Sequence, residues 1–128
     1  MSTITERVKT FEDACKVLGI APLLPDFTGT HPNHQKSLLA HYQLVIIAEA
    51  LNEEWKPDWS NGEWDKWYLW FDMDDDSSSS SGRFSFGSSD RWRSDSGVGS
   101  RLCFKSRELA KYAGTQFEGL YRDYFVIE

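Results

Sequence analysis

Residues 64–105 constrain the fold of this chain more than any other stretch. The segment opens with aromatic side chains, passes through an acidic and serine-rich run, and returns to phenylalanine and tryptophan interleaved with arginine. Aromatic-dense or alternating stretches bounded by turn residues are typical of β-strands. We therefore predict short strands near residues 65–72, 83–86, 91–93 and 102–104, which would form a small antiparallel sheet of three or four strands.

Helical signals flank this segment on both sides. Thr10 is a typical N-cap and Gly19 a typical helix end, and a longer helix is predicted from Pro32 to about Asn52. Ser106 can cap a final helix. The fold class expected is α+β, with two N-terminal helices, the sheet, and a C-terminal helix packed on it. The helical core residues expected are Leu38, Leu39, Tyr42, Val45, Ile46, Leu109, Ala113, Phe117 and Leu120.

The length of 128 residues corresponds to a single domain. Within it, residues 1–9 are polar and predicted to be flexible. Residues 20–32 contain three prolines and a glycine and read as a connecting loop. Residues 74–82 form an acidic and serine-rich loop that is too polar to pack.

The charge distribution bears on which partners are plausible. The net charge of −6 disfavours nucleic acid and anionic membranes. The acids concentrate in residues 49–76 and the bases in residues 83–111, a pattern that fits either cross-strand ion pairs or a dipolar surface for a partner. Cys15 and Cys103 are far apart and set in apolar sequence, which favours a reducing, cytoplasmic location. No membrane span is predicted.

Metal-binding motifs in the sequence are incomplete. His34 and His41 share a helix face but lie seven residues apart, roughly 10 Å, which is too far for one zinc ion. His31 precedes the helix. Asp72, Asp74 and Asp76 begin like a calcium loop, but Ser77 and Arg83 occupy the positions that need glycine and glutamate. We therefore predict no metal and no cofactor.

Tryptophan and arginine are the residue types that dominate binding hot spots. The sequence thus favours a non-enzymatic protein-binding module whose partner-binding residues are Trp55, Trp59, Trp70, Arg91, Trp92 and Arg93. The alternative is a nucleic-acid or phosphate-binding surface that uses Arg83, Arg91, Arg93 and Arg101, since rings and arginines can hold bases and phosphates. An enzyme ranks third because no residue pair stands in a catalytic motif. The sequence leaves the oligomeric state open.

Several motifs resemble those of a group of small proteins of unassigned activity from Bacteroidales and their phages, including crAss-like phages. They lie at residues 51–59 and 98–106, at Glu108-Leu109-Ala110 and Tyr112-Ala113-Gly114, and at Trp70-Phe71-Asp72. The resemblance covers most of residues 10–127. It implies a phage or prophage protein, located in the bacterial cytoplasm or associated with the virion, and it assigns no functional residue.

Overall fold

The computed structural model describes residues 3–53, 55, 66–72, 85–92 and 100–126. These residues form five α-helices and two strands, in the order α1 (Ile4–Arg7), α2 (Phe11–Leu18), α3 (Pro32–Asn52), β1 (Lys66–Asp72), β2 (Ser85–Trp92), α4 (Arg107–Gln116) and α5 (Glu118–Phe125), with a 3-10 helix (Ser100–Leu102) before α4. The described part is mostly helical. The prediction of an α+β fold built on a sheet of three or four strands is therefore wrong.

The predicted helix ends at α2 and α3 are confirmed. The Thr10 side chain accepts a hydrogen bond from the Asp13 N–H, and Gly19 ends α2 in the left-handed conformation with a φ of 72°. Helix α3 spans 21 residues and begins with Pro32 at its first position, where the missing N–H costs nothing.

The second half of α3 is the centre of the molecule. From Ala40 onward it is buried on nearly all sides, and Leu44, Ile47 and Leu51 are almost inaccessible to solvent. Helices α2, α4 and α5 and the 3-10 helix pack around it. Among the described residues, none of the helices is long and apolar enough to cross a membrane.

The structure differs from the predicted core in the first turns of α3. Leu38 is exposed and Leu39 is half-buried, although the sequence placed both in the core. A helix of 21 residues is about 31 Å long, and the neighbouring elements cover its second half more fully than its first. The core predictions Ile46, Leu109, Ala113 and Phe117 are confirmed.

Strands β1 and β2 form an antiparallel ribbon. Lys66 lies opposite Trp92, and the register shifts between Trp70 and Phe71, which makes Gly87 the extra residue of a bulge. The strand predicted at 65–72 is confirmed. The two strands predicted at 83–86 and 91–93 are parts of one strand, as far as the described residues extend. The predicted last strand is wrong, because Ser100–Leu102 is a 3-10 helix and Phe104 forms a single bridge to Trp67.

The predicted C-terminal helix is divided in two. Phe117 ends α4 and precedes α5, with a φ of −112° that breaks the helical path.

At the other end of the chain, residues 1–9 were predicted to be flexible, and the structure gives part of them a defined place. Helix α1 starts with a capping box between Thr3 and Glu6, and Val8 is fully buried.

Two glycines are expected to respond to alanine substitution in opposite directions. Gly19→Ala should lower the free energy of unfolding by about 1 kcal/mol, since alanine disfavours a positive φ. Gly119→Ala should raise it by about 0.5–1 kcal/mol, because Gly119 lies in α5 with open space where the Cβ would go. Urea denaturation of both variants checks this pair, and changes of the same sign would contradict it.

Candidate functional site

Arg91 is the predicted binding residue that the structure describes most fully. It is exposed on β2, directly opposite Trp67 of β1, and its guanidinium carbon lies 5.5 Å from the centre of the Trp67 ring. A cation over an aromatic face at this distance is attracted to the ring. The pair gives the ribbon a charged and aromatic surface element of the kind that the sequence predicted, although the sequence did not select Trp67.

The other predicted residues of both candidate surfaces are dispersed. Trp70 lies in β1 and Trp92 ends β2, on the same ribbon as Arg91. Trp55 is half-buried beyond α3, after a tight turn in which its N–H donates to the Asn52 carbonyl at 3.1 Å. Arg101 is exposed in the 3-10 helix. Trp59, Arg83 and Arg93 lie outside the described residues, as do the acidic loop at 74–82 and most of the calcium-like motif.

A second surface, which the sequence interpretation missed, is the apolar segment at residues 20–25. Leu23 is 74% exposed, Leu24 50% and Ile20 41%, and Pro22 and Pro25 are exposed as well. Isolated apolar residues at a surface are ordinary, but a contiguous exposed group is not. The signal in the sequence was a pair of leucines enclosed by prolines within a connecting loop.

The ends of this apolar segment are fixed to the protein. At its start, the Ile20 N–H donates to the Cys15 carbonyl at 3.0 Å. Beyond its end, the Asp26 carboxylate accepts hydrogen bonds from the Thr28 N–H and hydroxyl, and these bonds lower the pKa of Asp26. The Gln35 amide of α3 donates to the Thr30 carbonyl at 2.9 Å. The leucines are thus displayed between two anchored ends.

The three histidines do not form a metal centre in the described part of the chain, where no group of three or more candidate ligands occurs. His31 and His34 are exposed, with ring centres 5.1 Å apart. His31 Nδ1 accepts a hydrogen bond from the Asn33 N–H at 3.1 Å, so this nitrogen caps the start of α3. His41 packs against the Tyr124 ring instead.

The two cysteines and the tyrosines Tyr112 and Tyr121 are titratable groups that serve packing in this structure. Both cysteines are buried, and burial, followed by the nearby Glu12, raises the pKa of the Cys15 thiol. Such a thiol is a poor nucleophile. Burial also raises the pKa of Tyr121, and burial followed by Asp13 raises that of Tyr112. The Tyr112 hydroxyl donates to the Val8 carbonyl at 2.6 Å and so ties α4 to the N-terminal segment.

These raised pKa values predict a loss of stability at alkaline pH. The folded chain keeps the Tyr112 proton to a higher pH than the unfolded chain does, so the stabilisation is present below the ordinary tyrosine pKa and is lost as the pH rises through the folded value. We expect the free energy of unfolding to fall from about pH 9 to pH 11. The Tyr112→Phe variant should have a free energy of unfolding about 1 kcal/mol lower than that of the unmodified chain at pH 7. Between pH 7 and pH 11 its free energy of unfolding should fall less than that of the unmodified chain. Urea unfolding at several pH values measures both proteins, and an equal fall in the two free energies of unfolding would contradict this role of Tyr112.

No protein family, curated protein or solved structure matches this chain.

Proposed function

We propose that this protein is a non-enzymatic interaction module that binds another protein. The observation that carries the proposal is the exposed apolar segment at residues 20–25, with Leu23 and Leu24 at its centre. Keeping several apolar side chains in water forgoes the free energy that their burial would contribute, roughly 25 cal/mol per Å² of surface. A contiguous apolar group on the surface of a domain marks an interaction site more often than a structural need.

The packing of the rest of the molecule supports this interpretation. The chain buries a continuous core that includes one face of α2, the second half of α3 and the buried faces of α4 and α5. The core is therefore formed without Leu23 and Leu24, and their exposure does not result from a shortage of other apolar residues. They lie in a segment whose two ends are anchored, which is how a binding loop is presented by a rigid scaffold.

The ribbon offers a second contact surface for the same kind of partner. Arg91 is exposed and held near the Trp67 ring, and Trp and Arg are enriched among the residues that dominate protein interfaces. Trp55, Trp70 and Trp92 are further candidates for partner binding, on the same grounds of residue type. Their contribution is separable from that of the apolar segment by mutation.

The biological setting is also part of the proposal. The resemblance of the motifs at 51–59 and 98–106 to Bacteroidales and phage proteins supports a phage or prophage origin. Within such a setting, the module would act on a host or virion protein, in the cytoplasm of the bacterial host or as part of the virion.

A pull-down with the tagged 128-residue chain from a Bacteroidales lysate, with and without nuclease, tests this function. We expect a stoichiometric protein that survives nuclease and is recovered at least about tenfold less by the Leu23→Ser/Leu24→Ser double variant. Lys16→Gln, at an exposed position of α2, is the matched control and should bind as the unmodified chain does.

The other outcomes decide against the proposal. Recovery that is lost with nuclease and falls steeply with salt would replace it with the nucleic-acid alternative centred on Arg91 and Arg101. The absence of any stoichiometric partner from all baits would contradict protein binding. Equal recovery with the double leucine variant would move the binding site from the apolar segment to another surface, for which Arg91→Ala is the next variant.

A further inference from the structure

We propose that residues 21–25 are themselves the docking segment, and that the partner receives them in an aromatic-lined groove of the kind that binds extended, proline-flanked peptides. This inference rests on the proposed function and specifies the chemistry of the partner.

The first argument is the order of the residues. Ala21, Pro22, Leu23, Leu24 and Pro25 form an apolar–Pro–x–apolar–Pro pattern. An extended polyproline-type helix has three residues per turn, so residues three apart share one face. Pro22 and Pro25 fall together on such a face, and Ala21 and Leu24 fall together beside them. Leu23 points away from both pairs. Aromatic-lined grooves recognise extended segments with this spacing of prolines and apolar residues.

The second argument is the conformation of the segment. Residues 20–27 have no helical or strand structure. Proline fixes φ at Pro22 and Pro25, and the residue before each proline is restricted to extended conformations. The Leu23 N–H donates to the Ala21 carbonyl at 2.8 Å and so closes a three-residue turn at Pro22. Docking in an extended form requires the ψ angle of Pro22 to open from this turn, whereas the φ of Pro22 already suits the extended form.

The third argument concerns the alternative ways of covering the segment. Pairing as an added β-strand is disfavoured, since Pro22 and Pro25 have no N–H to donate to a ladder. All five residues from 21 to 25 are exposed, so the whole pattern is accessible to a groove. Asp26 follows Pro25 directly and accepts a hydrogen bond from the Thr28 N–H. Because Asp26 is negatively charged, we expect the partner surface next to it, at the end of the groove, to be neutral or basic.

The pattern makes a specific prediction that separates groove recognition from general apolar adhesion. Leu23 is the more exposed leucine, so adhesion through apolar area alone would depend on Leu23 more than on Leu24. In a three-residue repeat, Leu24 faces the groove and Leu23 faces solvent. Leu23→Ser is therefore the comparison variant for Leu24→Ser: it makes the same chemical change at the neighbouring position, and general apolar adhesion would make it the more damaging of the two.

The experiment uses the 128-residue chain as bait. The partner recovered from the lysate is quantified by mass spectrometry and then, once purified, by titration. We expect Leu24→Ser and the Pro22→Ala/Pro25→Ala double variant each to weaken binding at least about tenfold, and Leu23→Ser less than about threefold. A photoreactive benzoylphenylalanine at position 24 inserts into aliphatic C–H bonds, so its adducts should map to partner residues that neighbour the aromatic side chains of the groove. Circular dichroism confirms that each variant is folded.

Each remaining outcome overturns the inference in a distinguishable way. A partner that is lost equally or more strongly with Leu23→Ser, or that is recovered equally with all variants, overturns groove recognition and leaves protein binding standing. Adducts between two copies of this chain would make the segment a self-association site instead. A bait that recovers no partner overturns the proposed function, and this inference with it.

Discussion

Replacing Phe104 with alanine is expected to lower the free energy of unfolding by about 3–5 kcal/mol, among the largest effects of any single substitution in the described part of the chain. The side chain is fully buried in the core cluster, so its removal loses the burial free energy and leaves a cavity. The backbone of Phe104 also joins the ribbon to the helices. Its N–H donates to the Trp67 carbonyl at 2.7 Å, and its carbonyl accepts from the Trp67 N–H at 3.0 Å.

The matched control for this substitution is Phe125→Ala. Phe125 is also aromatic and lies against the rings of Phe71, Tyr121 and Tyr124, but it is 36% exposed. We expect it to cost roughly 1–2 kcal/mol, because part of its surface already meets water and the site can collapse. Urea unfolding at neutral pH compares the two. Losses of equal size would show that the buried Phe104 ring contributes no more to stability than the partly exposed Phe125 ring.

Helix ends could be predicted from the sequence because their signals are local. The N-caps Thr10 and Ser106 each accept a hydrogen bond from an N–H three residues ahead, and Gly19 adopts the positive φ that its lack of a side chain permits. Each signal depends on residues within one helical turn. The break between α4 and α5 at Phe117 carried no such signal, so one helix was predicted where the chain forms two.

The sheet could not be predicted in the same way, because strand pairing is not local. Residues 102–104 have the apolar composition of a strand, and Phe104 does pair with Trp67. On its other side, however, the segment meets a side chain rather than a strand. The Asn52 amide lies 51 residues earlier in the chain than its partner Cys103, and no composition or periodicity relates the two positions. The same apolar pattern thus fits a 3-10 helix followed by a single bridge.

The candidate site was predicted only in part for a related reason. Residue type pointed to arginine and tryptophan, and Arg91 is indeed exposed beside a tryptophan ring. Exposure of an apolar residue in a loop, by contrast, has no sequence pattern, since periodicity assigns faces only within helices and strands. Leu23 and Leu24 could equally have covered the core. Only their surroundings in the folded chain show that they face solvent.

Replacing Asn52 with alanine is the second substitution for which we expect a large effect, a loss of about 2–4 kcal/mol in the free energy of unfolding. Asn52 is 5% exposed at the end of α3. Its Nδ2 donates to the Cys103 carbonyl at 2.8 Å, and its Oδ1 accepts from the Lys105 N–H at 3.0 Å. The side chain therefore acts as the edge of a neighbouring strand would. Alanine leaves both backbone groups without these partners, and a buried group left unsatisfied costs its desolvation free energy.

Ser37→Ala is the matched control for Asn52→Ala. It removes one partly buried hydrogen bond, which the Ser37 hydroxyl donates to the Tyr124 carbonyl at 2.7 Å. Its loss should lower the free energy of unfolding by about 1 kcal/mol.

The double variant Asn52→Ala/Phe104→Ala then tests whether Asn52 and Phe104 hold the same segment. If either substitution detaches residues 103–105 from their neighbours, the second has less left to disrupt, so the two losses should sum to more than the double variant shows. Additive losses in urea unfolding would mean that Asn52 stabilises the end of α3 independently of the ribbon.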